Sequence, residues 1–139
     1  MDEYRDKILS VEIRDNIDAI GDFAFFNCRQ LTSVRIPDSV TTIGNGAFQF
    51  CYILTDVRIP DGVTAIGKLA FWACKILTDV RIPDSVTKIG NRAFRDCPRL
   101  EGVEIPVSAE VDEAFPVGSD TPRTLCSFFQ SLDKTAGKA

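Results

Sequence analysis

Five cysteines and no histidine set the first limit on the chemistry open to this 139-residue chain. Cys28, Cys51, Cys74 and Cys97 recur every 23 residues, while Cys126 stands apart near the C-terminus. Without histidine there is no Ser-His-Asp or Cys-His nucleophile and no imidazole ligand for a metal. Zinc sites favour close pairs such as C-x-x-C, which a spacing of 23 does not supply. If that spacing stacks the thiols one above another, neighbouring Cα atoms come within about 5 Å, inside disulfide range. Their side chains would then point the same way, so bridges would be strained. The expectation is a stack of buried free thiols packing as small hydrophobes. Carboxylates are plentiful, but none is set off by an apolar motif. A carboxylate-dependent hydrolase is therefore only a remote alternative, and no cofactor or metal is expected.

The same period runs through the rest of the chain. Ile13, Ile36, Ile59, Ile82 and Ile105 lie 23 residues apart, and Val11, Val34, Val57, Val80 and Val103 lie two positions before them. Ile8, Leu31, Leu54, Leu77 and Leu100 form a further column, as do Gly21, Gly44, Gly67 and Gly90. Ala-Phe pairs precede each repeated cysteine, at Ala24-Phe25, Ala47-Phe48, Ala70-Phe71 and Ala93-Phe94. The Leu-x-x-Val-x-Ile stretch alternates as a short strand does, burying Val and Ile and exposing the residue between. Pro-Asp-Ser or Pro-Asp-Gly ends it with a missing N–H and a turn former. The glycine column is expected to take positive φ at a tight corner. The Ala-Phe-x-x-Cys segment has the length of one helical or 3₁₀ turn. A single unit buries its apolar face only by stacking on the next.

These residues carry a resemblance. The unit Leu-x-x-Val-x-Ile-Pro-Asp-x-Val-Thr-x-Ile-Gly-x-x-Ala-Phe-x-x-Cys is similar to the BspA-like (treponemal) class of leucine-rich repeat, from about Ile8 to Ile105. The resemblance implies a curved right-handed solenoid with these short strands as a parallel concave β-sheet. With the helical turns and a C-terminal capping helix read from spacing, the expected fold class is an α/β repeat solenoid. The resemblance also implies an adhesion or protein-recognition module rather than an enzyme, and it brings no catalytic residues.

One domain over 1–139 is expected: an N-terminal cap and repeat start over 1–10, repeats over 8–105, and a degenerate repeat with capping helix over 106–139. Leu125, Phe128, Phe129 and Leu132 recur at helical spacing after Thr121-Pro122, a helix start. The net charge of −4 gives no sign of a nucleic-acid or anionic-membrane partner. No stretch is apolar enough to span a bilayer, so membrane insertion is not expected. The charged start lacks a signal peptide's apolar core, which reads as cytoplasmic if the chain is complete. A segment of a longer family member would instead lie at the cell surface or be secreted.

Two sets of varying positions are candidates for binding a protein partner. The exposed strand column reads Glu12, Arg35, Arg58, Arg81, Glu104, with Asp56 and Asp79 beside it. It is either an anion-binding stripe, since arginine offers a planar fork of donors, or a self-neutralised network that keeps the strands soluble. The second set, Phe26, Phe50, Tyr52, Ile53, Trp72 and Ile76, surrounds the cysteine turns and gives way to Arg95, Asp96 and Arg99 in the fourth repeat. Clustered surface aromatics mark interfaces. The expected function is a non-enzymatic protein-interaction or adhesion module, and the alternative is a homo-oligomer assembled through this aromatic flank.

Overall fold

Two short strands per repeat wind the chain into a parallel β-solenoid, seen in a computed structural model that describes residues 5–100, 105–106 and 109–111. Four coils, 8–30, 31–53, 54–76 and 77–99, fall wholly within these residues. The first sheet joins β1 (Ser10–Glu12), β3 (Ser33–Arg35), β5 (Asp56–Arg58) and β7 (Asp79–Arg81) in that order. The second joins β2 (Ala19–Ile20), β4 (Thr42–Ile43), β6 (Ala65–Ile66), β8 (Lys88–Ile89) and β9 (Glu110–Val111). Pairing is in register, with Val57 opposite Val80 and Ile20 opposite Ile43, so every column of the sequence becomes a column in space. The Pro-Asp segments link the two sheets as β-turns, closed by Val40 N–H donating to Pro37 O at 3.1 Å and repeated at Val63 and Val86.

The core is built from these columns. Phe48, Phe71 and Phe94 are buried, and with Phe25 they stack as a ladder with centroids 5.2–5.3 Å apart. Leu31, Leu54, Leu77 and Leu100 and the inward Val40 and Ile43 columns fill the rest. Two threonine ladders tie the coils at their edges. Thr55 and Thr78 hydroxyls donate to the carbonyl one coil back, and Thr64 and Thr87 repeat this on the second sheet, all at 3.2–3.3 Å.

The Ala-Phe-x-x-Cys segment is not helical, and this corrects the expectation of helical turns. In coil 1, Ala24, Phe26 and Cys28 donate to the carbonyl three residues back, whereas Phe23, Phe25 and Asn27 donate to Asn45, Ala47 and Gln49 in the next coil, each at 2.8 Å. Coils 2 and 3 repeat the alternation, for example Phe48 to Ala70 at 2.7 Å and Phe71 to Ala93 at 2.7 Å. An α- or 3₁₀-helix would keep every N–H within the segment. Here half of them weld one coil to the next. Residues with positive φ break each local turn before it can propagate: Phe23, Gly46, Leu69 and Arg92 in one column, and Asn27, Phe50, Ala73 and Asp96 in another. The sheets and these welds make a β-solenoid of what was expected to be α/β.

The repeated glycines also serve differently than expected. Gly21, Gly44, Gly67 and Gly90 are not positive-φ residues. A Cβ on Gly44 would lie 2.7 Å from Asp22 N and Gly21 C of the coil beneath, and one on Gly67 would lie 2.6 Å from Asn45 N and Gly44 C. The column is glycine because stacked backbones pass too closely for any side chain. Gly21, with no coil beneath, has open space at that position.

The turn carbonyls of coil 1 are met by a side chain. Arg5 supplies the donors: its Nη1 lies 2.8 Å from Phe26 O and 3.4 Å from Ala24 O, the positions that Asn27 and Phe25 serve between coils 1 and 2. The expected fifth concave strand around Glu104, the capping helix expected after Thr121-Pro122 and Cys126 lie outside the described residues.

The glycine column makes a paired prediction. Gly67→Ala should cost about 1–3 kcal/mol of unfolding free energy through backbone overlap. Gly21→Ala should change it by no more than about 0.5 kcal/mol. Urea unfolding followed by circular dichroism measures both, and equal losses at the two sites would contradict the close-approach explanation.

Candidate functional site

The four repeated thiols are placed for packing. Cys28, Cys51, Cys74 and Cys97 are fully buried and free. Each of the last three points its Sγ at a carbonyl one coil back: Phe25 O at 3.2 Å, Phe48 O at 3.4 Å and Phe71 O at 3.0 Å. A thiol held by its proton against a carbonyl is a poor nucleophile, since the thiolate is the reactive form. Burial pushes Cys28 and Cys74 above the ordinary thiol range and Cys51 up to about 12. The sequence-based expectation of a structural thiol stack agrees with this geometry.

The concave strand column is half neutralised. Glu12 and Arg35 form an ion pair at 3.2 Å, both about 70% exposed, a geometry that adds little stability. Among the described residues, Asp56, Arg58, Asp79 and Arg81 make no ion pair. Register sets Arg58 opposite Arg81 and Asp56 opposite Asp79, like beside like, with the unlike charges two residues apart along each strand. Like charges directly opposite are unfavourable, so the column is not a self-neutralised network throughout. A shallow depression of about 320 Å³ runs between them, floored by Val34 and Val57. A neighbouring one of about 470 Å³ is lined by Asp15, Arg35, Arg58 and the Pro37-Asp38-Ser39 turn. The carboxylates of Asp15, Asp38, Asp61 and Asp84 occupy one exposed column along that turn. Arginine is therefore bordered by acid on both sides. Glu104 lies outside the described residues.

On the opposite flank the structure gathers four of the six predicted residues into one row of rings. Phe26 meets Phe50 at 5.6 Å between centroids, Phe50 meets Trp72 at 5.5 Å, and Tyr52 lies 5.9 Å from Phe50. All four rings are half-buried, as are Ile53 and Ile76. Sequence reasoning missed three members. Phe23, 47% exposed, extends the row by an edge-to-face contact with Phe26 at 5.7 Å. The Arg29 guanidinium lies over Tyr52 at 5.7 Å and donates to Asn27 Oδ1 at 2.9 Å. Gln49, between Phe26 and Trp72 in their column, is 94% buried, with no partner for its Oε1 among the described residues.

The backbone under this row is informative. Phe50 has φ of 65°, and the equivalents in coils 1 and 4 are Asn27 and Asp96. Asn and Asp adopt the left-handed region readily, whereas a bulky residue pays about 1–2 kcal/mol there. Phenylalanine at that place is strained by its backbone, as are Phe23, Leu69 and Arg92 in the other left-handed column.

A solenoid of in-register parallel strands with a stacked phenylalanine spine defines a repeat protein of the leucine-rich kind. The chain belongs to the BspA type leucine-rich repeat family, whose repeat matches residues 3–115 in six copies. It is similar to a leucine-rich repeat protein from Bacteroides ovatus, at 38% identity over 77% of this chain, with a TM-score of 0.72. It spans 28% of that protein's length. It is also similar to the leucine-rich repeat protein of T. pallidum, at 27% identity over 91% of this chain and 71% of the other, with a TM-score of 0.76. Among curated protein sequences, none matches this chain. The family is one of protein-interaction or structural repeat modules. Among the described residues no helix is long and apolar enough to cross a membrane.

The thiols give a signed prediction. Cys51 is raised in the folded state from 9.0 to about 12, so the native chain holds a proton that the unfolded chain releases. Its contribution is intact below about pH 9 and is lost as pH rises towards 12. Urea midpoints measured from neutral to alkaline pH should fall more steeply for the parent than for Cys51→Ala. Parallel curves would remove the thiol from the cause.

Proposed function

We propose that this chain is a non-enzymatic protein-binding module and that the row Phe23, Phe26, Phe50, Tyr52 and Trp72 is its principal contact surface. The observation that carries this reading is Phe50. Its ring bridges Phe26 and Trp72 from a left-handed backbone position that the other coils fill with the small or polar residues Asn27, Ala73 and Asp96. Repeated columns explain the fold. This row is the part that does not repeat.

Rings already in mutual contact lose little freedom on binding, which is how aromatic anchors contribute most of an interface's energy. Half-burial leaves faces open while fixing rotamers. An adhesion role is the particular form that the family resemblance favours, with the partner carried on another molecule. Assembly with a second copy through the same rings is the alternative, and Arg58 and Arg81 on the concave face offer a secondary contact.

The test uses captured partners and light scattering together. Trp72→Ser with Tyr52→Ser should leave the unfolding temperature close to the parent's and weaken binding of captured partners by about 30-fold or more, the size of a hot-spot loss. Arg58→Glu should weaken it far less. A mass that stays monomeric as concentration rises would exclude the second copy. Unchanged binding by the double variant would remove the flank.

A further inference from the structure

The net charge of −4 conceals a division between the two sides of the solenoid. The strand and Pro-Asp columns of the four coils carry Glu12, Asp15, Asp18, Asp38, Asp56, Asp61, Asp79 and Asp84 against four arginines and Lys88. The flank columns, residues 22–30 and their equivalents, hold two carboxylates, and both are engaged. Asp22 accepts from Asn45 N–H at 2.8 Å, and Asp96 pairs with Lys75. Against them stand Arg29, Lys68, Lys75, Arg92, Arg95 and Arg99. The whole-chain charge gave no sign of an anionic partner. The flank by itself is basic.

Three of the six basic residues, Arg92, Arg95 and Arg99, gather in coil 4. Among the described residues, the column that begins with exposed Phe23 reaches Arg92 in coil 4, the column with Phe26 and Trp72 reaches Arg95, and the column with Ile53 and Ile76 reaches Arg99. Along these three columns the side chains are uncharged and mostly apolar over coils 1–3 and cationic over coil 4. Arg29, Lys68 and Lys75 stand in the neighbouring columns of coils 1 and 3. Arg92 and Arg99 are exposed, and among the described residues neither forms an ion pair. This sequence of chemistry along one line is a template for a complementary segment.

Resting on the reading of the flank as the contact surface, we infer that its partner is a protein segment with two successive parts. An apolar or aromatic stretch lies over Phe26, Phe50 and Trp72, and acidic residues follow over Arg92 and Arg99. Complementary charge sets orientation and rejects basic competitors more than it adds affinity. Half-buried rings in a continuous row offer a surface for a chain to lie on. They do not project as wedges into a lipid interface, so a peptide segment is the occupant these observations favour.

The experiment is selection of a random peptide library displayed on phage against the whole chain, repeated on Arg92→Glu/Arg99→Glu and on Trp72→Ser. The parent should enrich peptides with an aromatic or aliphatic stretch next to Asp or Glu. Synthetic copies of these should bind the charge-reversed chain about tenfold more weakly and lose affinity with added salt. Selection on the reversed chain should turn the acidic bias to a basic one. Peptides that need Trp72 yet show no acidic bias, or keep it after reversal, would overturn the inference and leave the flank reading standing. Peptides indifferent to Trp72→Ser would overturn both. Binding to phosphatidylserine vesicles that Arg92→Glu/Arg99→Glu abolishes, without peptide enrichment, would assign the flank to a membrane surface and overturn the inference.

Discussion

Every feature of this molecule depends on one demand: the backbone of each coil must find its hydrogen-bond partners in the neighbouring coil. Buried N–H and C=O groups have to be paired, and a coil of this size cannot pair them internally. The two sheets meet part of the demand and the alternating bonds of the cysteine turns meet another. All of these bonds require successive coils of equal length in fixed register. A 23-residue period follows, and so does the glycine column where backbones nearly touch. At coil 1 the same demand is met by the Arg5 guanidinium, which donates to Phe26 O.

The same demand decides what could be read from sequence. Apolar columns follow burial, and burial follows period, so the core, the first sheet and the thiol stack were legible from spacing. Leu31, Val40, Ile43 and Phe48 all lie where the pattern puts them. The cysteine turns were not legible, because one helical turn and a chain of cross-linked β-turns have the same length and the same apolar residues. The distinction lies in where alternate N–H groups point. One clue was present. Asn27 and Asp96 share a column with Phe50, and Asn and Asp are the side chains that tolerate positive φ. Glycine misled for a related reason, since its value at Gly44 is the absence of a Cβ and not its freedom of φ.

The surface was legible in part. Phe26, Phe50, Tyr52 and Trp72 do come together, although they come from three different columns of the repeat. Phe23 was hidden because its column otherwise holds Gly46, Leu69 and Arg92, which share a backbone conformation and no side-chain type. Charge was legible residue by residue, but its division between two faces needed the fold. Strict repetition gives a scaffold its regularity and leaves only unlike members of a column to distinguish one solenoid from another. Recognition is then concentrated where the columns vary.

Separation of scaffold from surface is tested most directly at Phe50, where the two compete for one residue. Chemical unfolding of Phe50→Asn, the residue that coil 1 carries at the same place, gives the decisive number. Relief at a left-handed position should offset loss of a half-buried ring, leaving stability within about 1 kcal/mol of the parent. Phe48→Ala in the core should cost about 3–5 kcal/mol in the same assay. A loss at Phe50 as large as that at Phe48 would show that the ring belongs to the scaffold, and would contradict its assignment to recognition.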